Sequence, residues 1–186
     1  LDIDAAGDFI GRLMAISANP DAAKLGLARE ACLSASELAR QVEDRLMRLR
    51  HVAESHAALA AFLDGTVGPA FIDAHDRTMA GYAEAGLDPH MGIAPKKRTL
   101  SPSDFGFHNA IRRRDGSLVF IDFEYFGWDD PVRLVADFAL HPGMNLSDQL
   151  AARFVRCALG VYADDDDFPL RLGLLCPLVA LRWCMI

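Results

Sequence analysis

Cysteine is sparse, and none of it is patterned for a metal. Cys32, Cys157, Cys176 and Cys184 form no C-x-x-C pair and have no histidine at finger-like spacing, so a structural zinc site has no support. They are expected to be reduced and mostly buried, as in a cytoplasmic protein. Basic residues are outnumbered as well: 19 Lys and Arg against 26 Asp and Glu give a formal net charge of -7. Nucleic acid is held by clustered Lys and Arg, so it is not the expected partner, whereas a cationic or metal-chelated ligand is easier to accommodate. The one arginine run, Arg112 to Arg114, sits beside a turn and reads as a solvated strand end. Long apolar runs are also lacking. The stretch Leu170 to Ile186 is interrupted by Arg171, Pro177 and Arg182, short of the ~20 apolar residues a membrane span needs, and is expected to be a buried terminal helix. The opening Leu1-Asp2-Ile3-Asp4 has neither an initiator Met nor a basic, apolar leader, as expected of a piece cut from a longer chain.

What is present suits a globular unit. Apolar residues make up 52% and charged residues 24% of 186, enough to bury one core. Phe9, Ile10, Leu13, Met14 and Ile16 mark an amphipathic helix from Ala5 to Ser17, stopped by Asn19-Pro20. Ser34 and Glu37 form a capping box ahead of a helix expected from about 35 to 63, ending at Asp64-Gly65. Another helix begins after Pro69 and runs to Gly86. His56 and His75 lie in these stretches and read as satisfied or solvated. Leu87 to Arg98 reads as a loop. Helices return after Asp130-Pro131, from about Ser147 to Tyr162, and again after the acidic run Asp164 to Asp167.

Between them lie two short strands, Asn109 to Arg113 and Leu118 to Phe123, separated by Asp115-Gly116. This hairpin is the one clear β element, and the expected class is α+β, mostly α. A two-residue type I′ turn would pair Arg114 with Ser117 and, counting outward, Asn109 with Asp122. Those two side chains would then share a face, within reach of one magnesium ion.

Polar residues gather around this hairpin. Asp104 and Asn109 have the D-x-x-x-x-N spacing of a kinase catalytic loop, in which a carboxylate accepts the substrate hydroxyl's proton and an amide oxygen holds a metal. Asp122 is the expected second metal ligand. Phosphoryl transfer from ATP asks for such groups, because magnesium takes hard oxygen donors while it neutralises the phosphates.

The segment Leu100 to Leu140 carries Ser103-Asp104-Phe105-Gly106-Phe107-His108-Asn109, then Ile121-Asp122-Phe123-Glu124-Tyr125, then Asp130-Pro131 and Asp137. It resembles aminoglycoside phosphotransferases and choline or ethanolamine kinases, enzymes of kinase-like fold. The resemblance implies an ATP-dependent kinase acting on a hydroxyl of a small, aminoglycoside- or choline-like molecule. Asp104 would be the catalytic base, Asn109 would bind Mg2+, and Asp122 would bridge Mg2+ to the nucleotide phosphates. Asp137 would be a structural carboxylate bracing the loop, although by itself it reads equally as a helix-surface Asp. Glu124, Asp129, Asp130 and Asp164 to Asp167 permit a cationic acceptor, while the last run also reads as a solvated face.

Two departures from the pattern stand out. Pro102 takes the place of a His two residues before the motif Asp. The resemblance also covers the C-terminal lobe alone: no Gly-rich strand-turn-strand and no strand-borne lysine precede it, and the only lysines are Lys24, Lys96 and Lys97. Residues 1–186 are therefore expected to act with an N-terminal nucleotide-binding lobe and to be inactive without it. A non-catalytic ligand-binding or scaffolding relative, and a helical interaction domain with a coincidental motif, are the alternatives.

Overall fold

The first helix, α1 (Asp2–Ser17), starts three residues before the expected Ala5 and buries Ile3, Ala6, Ile10 and Leu13. Of the apolar residues expected to mark its buried face, Ile10 and Leu13 are buried, Phe9 and Met14 are half-buried, and Ile16 is exposed. The computed structural model describes residues 2–186. It is α+β and mostly helical, with two small antiparallel sheets. The chain divides into two compact units, one built from the segment up to Ala31 with Ile93–Pro169, the other from Cys32–Gly92 with Leu170–Ile186.

The first unit holds α1, the strands β1 (Thr99–Ser101), β2 (Ala110–Arg112), β3 (Leu118–Phe120) and β4 (Gly127–Asp129), and the helices α5 (Pro131–Leu140) and α6 (Asp148–Val161). α1 packs on α6 and β1, and α5 packs on α6. Asp130 caps α5, its side chain accepting from the Val132 amide at 2.8 Å. Every residue from Pro131 to Phe138 is buried. Phe138 meets Phe154 of α6 at 3.9 Å between ring centroids, and both rings are fully buried. Each such side chain contributes about 1.5–3 kcal/mol by leaving water.

β1 pairs with β4 in the register Thr99↔Asp129, Leu100↔Trp128, Ser101↔Gly127. This ladder gives no sequence signal, because three-residue strands are too short to show a period and their partners lie far apart in the chain. The hairpin was therefore not the only β element.

The hairpin itself closes differently from the type I′ expectation. Its register is Ala110↔Phe120, Ile111↔Val119, Arg112↔Leu118. Arg113 N–H donates to Ser117 C=O at 2.9 Å, and Gly116 N–H to Arg113 C=O at 3.0 Å. The loop is thus Arg114-Asp115-Gly116, with Gly116 alone of the three at positive φ (86°), the geometry of a type I turn followed by a left-handed glycine bulge. Arg112 to Arg114 are exposed at this end, as expected.

The second unit holds α2 (Ala35–Ala53), α3 (Ala57–Phe62), α4 (Gly68–Glu84) and most of α7 (Phe168–Trp183). Ser34 caps α2 by accepting from the Glu37 amide at 3.2 Å, and Glu37 reaches back to the Leu33 amide at 3.1 Å. The single helix expected over 35–63 is broken at 54–56, where Ser55 Oγ bonds the Val52 carbonyl and His56 leaves helical geometry. Asp64-Gly65 ends nothing: a π turn over Leu63–Val67 carries the helix on into α4. By length and composition the run Ala57–Glu84 could cross a membrane, a test that core helices also pass. α7 buries Leu172, Leu175, Leu178 and Val179, in keeping with the expected terminal helix. The four cysteines are free thiols, but only Cys32 is buried.

Candidate active site

The loop after β1 is anchored on either side of its one exposed carboxylate. Ser103 has a left-handed backbone (φ 68°), unfavourable for a non-glycine residue. Its amide donates to Ser101 Oγ at 3.0 Å, and its own hydroxyl lies 3.2 Å from the Arg29 carbonyl and 3.3 Å from the Tyr125 carbonyl. Ser101 and Ser103, on either side of Pro102, thus brace the loop. After Asp104, Phe105 turns into the core, with ring centroids 5.0, 4.8 and 4.8 Å from those of Phe9, Phe120 and Phe138. Asp104, between these anchors, keeps 48% of its side chain exposed.

A tight turn over Phe107–Asn109 folds the chain back over that carboxylate. Gly106 makes room for it: a Cβ there would lie 2.6 Å from His108 Nδ1 and 2.8 Å from Met144 Sδ. The Asn109 amide nitrogen donates to the Asp104 carbonyl at 3.0 Å and to Asp104 Oδ2 at 3.2 Å. Both neighbours are acceptors, so the NH2 must face them. Asn109 Oδ1 is thereby turned away from Asp104.

Asp104 Oδ1 faces two imidazoles that the spacing argument missed. His108 Nε2 lies 2.9 Å away and His141 Nε2 3.7 Å away, with the two rings stacked at 4.1 Å. His141 Nδ1 accepts from the Gly143 amide at 3.0 Å, which in the neutral ring places the hydrogen on Nε2, toward Asp104. Burial holds the His141 pKa below its ordinary 6.5, and the neighbouring His108 lowers it further, against the opposing pull of Asp104 and Asp137. His108 was legible within the motif itself. His141 comes from beyond the end of α5, and only tertiary packing brings it here.

Asp122 does not pair with Asn109. Ile121 takes that place, donating its N–H to the Asn109 carbonyl at 2.9 Å. Asp122 follows one residue on, exposed and with a left-handed backbone (φ 67°). The structure therefore brings Asp104 and Asn109 together but lacks the cross-strand facing expected of Asn109 and Asp122.

Asp137 is no helix-surface residue: it is 4% exposed, its Oδ2 lying 3.2 Å from Arg133 Nε. Arg133 Nη1 also lies 3.4 Å from Asp129 Oδ2, so one buried guanidinium serves two buried carboxylates behind the loop. Asp129, Asp130 and Asp165 are all buried and engaged, which removes them from the acidic surface invoked for a cationic acceptor. Lys97 Nζ lies 2.6 Å from both Asp165 and Asp167, so part of the 164–167 run is a structural clasp.

No family model matches the chain, and neither a curated protein nor a solved structure matches it.

Proposed function

We propose that this chain carries the catalytic loop of a kinase-like phosphotransferase that moves the γ-phosphate of ATP to a hydroxyl of a small molecule. The observation that carries this reading is the pairing of Asp104 with Asn109 on one braced turn, the carboxylate half-exposed and held in place by the amide. An acceptor hydroxyl placed against Asp104 would find an oriented proton acceptor, the role a general base needs. Asn109 Oδ1 and the exposed Asp122 carboxylate are hard oxygen donors of the kind magnesium takes, so the donor types fit the ion, although the two residues are not the directly opposed cross-strand pair that was expected. Bound with ATP, magnesium would neutralise charge on the phosphates.

Asp137 supports the reading as a structural carboxylate, buried against Arg133 in the first unit. Of the acidic residues that sequence offered for a cationic acceptor, Glu124 is exposed beside the hairpin and Asp164 and Asp166 are exposed in the later run. Attraction of a cation near the loop would rest on Asp104, Asp122 and Glu124. The test is ADP release by the protein carrying this chain, with Mg2+ and ATP, against amino sugars, choline, ethanolamine and neutral sugars. Acceptor-dependent release supports the reading, and release from none of these classes counts against it.

A further inference from the structure

Among the described residues, Asp104, His108 and His141 converge on one point. They come from the loop after β1, the turn after Gly106 and the segment following α5, and one ligand atom from each lies within 4.8 Å of the others. We propose that these three residues form a binding site for a divalent transition ion of the Zn2+ or Co2+ class, separate from any magnesium held by Asn109 and Asp122.

The donor set selects that class. Two imidazoles and one carboxylate suit zinc and its neighbours, which bind three protein ligands and leave a position open, whereas magnesium prefers oxygen throughout. Spacing agrees as well: a tetrahedral site with bonds of ~2.0 Å separates its donor atoms by ~3.3 Å. The separations here, 2.9 Å from Asp104 Oδ1 to His108 Nε2 and 3.7 Å to His141 Nε2, bracket that value.

The surroundings orient the donors. Asn109 occupies Asp104 Oδ2, which leaves Oδ1 toward both rings, the kind of outer hydrogen bond that fixes a ligating carboxylate. Met144 Sδ, accepting from the Phe107 amide at 3.1 Å, packs a soft, apolar wall beside the turn. Gly106 keeps that wall and the His108 ring at close range.

Proton bookkeeping sets one condition. Ligation through Nε2 requires each ring to carry its hydrogen on Nδ1. His141 Nδ1 now accepts the Gly143 N–H, so that bond must open as the metal enters. An occupied site also leaves Asp104 unable to accept a substrate proton, so a transition ion would oppose the phosphotransfer proposed above. The site stands on its own geometry whether or not that reaction is the right one.

The experiment is titration of Co2+ into the chain near neutral pH, followed by calorimetry and by the d–d absorption of the bound ion. Wild type is expected to bind one ion with the absorption of a four- or five-coordinate centre. His108→Ala and His141→Ala should each weaken binding at least about tenfold, ~1.4 kcal/mol. His75→Ala, on α4 beside Asp76, should leave it unchanged. NMR on the wild type needs no variant: Zn2+ should shift the ring protons of His108 and His141 and the Gly143 amide together. Co2+ binding that is equally tight in both histidine variants, or ring protons of His108 and His141 that do not move with Zn2+, overturns the site. Since the readout is binding, a failed kinase assay leaves this result standing, and the reverse holds too.

Discussion

Asn109 holds Asp104 twice, its side-chain nitrogen donating at 3.0 Å to the Asp104 carbonyl and at 3.2 Å to Oδ2. The first bond closes the loop and the second aims the carboxylate. Asn109→Ala removes both, with an expected stability loss of about 0.5–1.5 kcal/mol, modest because water replaces the donor at this exposed turn. Urea unfolding of the two proteins checks the size. Under the proposed function the same variant loses far more in turnover than in stability.

Arg133 is buried between Asp129 and Asp137. Arg133→Met keeps the bulk of the side chain but removes the cation between two buried carboxylates, and about 3–5 kcal/mol of stability should be lost. Asp137→Asn keeps a hydrogen-bond acceptor for the guanidinium and should cost less. Chemical denaturation ranks the pair, and a milder effect for Arg133→Met than for Asp137→Asn would refute the arrangement.

His141 makes stability depend on pH in a defined direction. Its folded pKa lies below the ordinary 6.5, chiefly through burial, so the unfolded chain binds its proton first as pH falls. Its contribution is fully present above about 6.5 and is lost as pH drops toward the lower folded value. In His141→Gln the acid limb of the urea midpoint against pH should be flatter than in wild type. An unchanged limb contradicts the assignment.

Gly116 sits at φ 86° with open space around it, so strain rather than crowding opposes a side chain there. Gly116→Ala should cost about 1–2 kcal/mol, and Gly116→Asn less, since Asn tolerates the left-handed region. Thermal unfolding of the two variants distinguishes them.

This turn also shows where sequence reasoning stopped. Asp115-Gly116 announced a hairpin, but a left-handed glycine serves a two-residue turn and a bulged three-residue loop alike, and the two differ by one step in register. That step put Ile121 opposite Asn109. The helices of the first unit were legible from apolar spacing, and the Ser34–Glu37 cap from its motif. The break at 54–56 was not, because Ser55 competes for the backbone without any Pro or Gly to mark it. Asp104 and Asn109 could be paired from spacing alone since a tight turn joins them. His141 could not, because a buried helix and the loops before it separate it from Asp104, and only the packing of α5 closes that gap. The burial of Asp137 was not legible either, because an Arg and an Asp four residues apart are equally the pattern of a solvated helix face.

The proposed role of Asp104 as the base of a magnesium-dependent phosphotransfer is tested most directly by Asp104→Asn in the protein that carries this chain. Asn preserves the side chain's shape while removing its basicity. Steady-state kinetics with an accepted hydroxyl substrate should show kcat reduced by about 10²–10⁴-fold and the KM for ATP nearly unchanged. A kcat within about threefold of wild type, with the chemical step shown to limit the rate, would contradict the account.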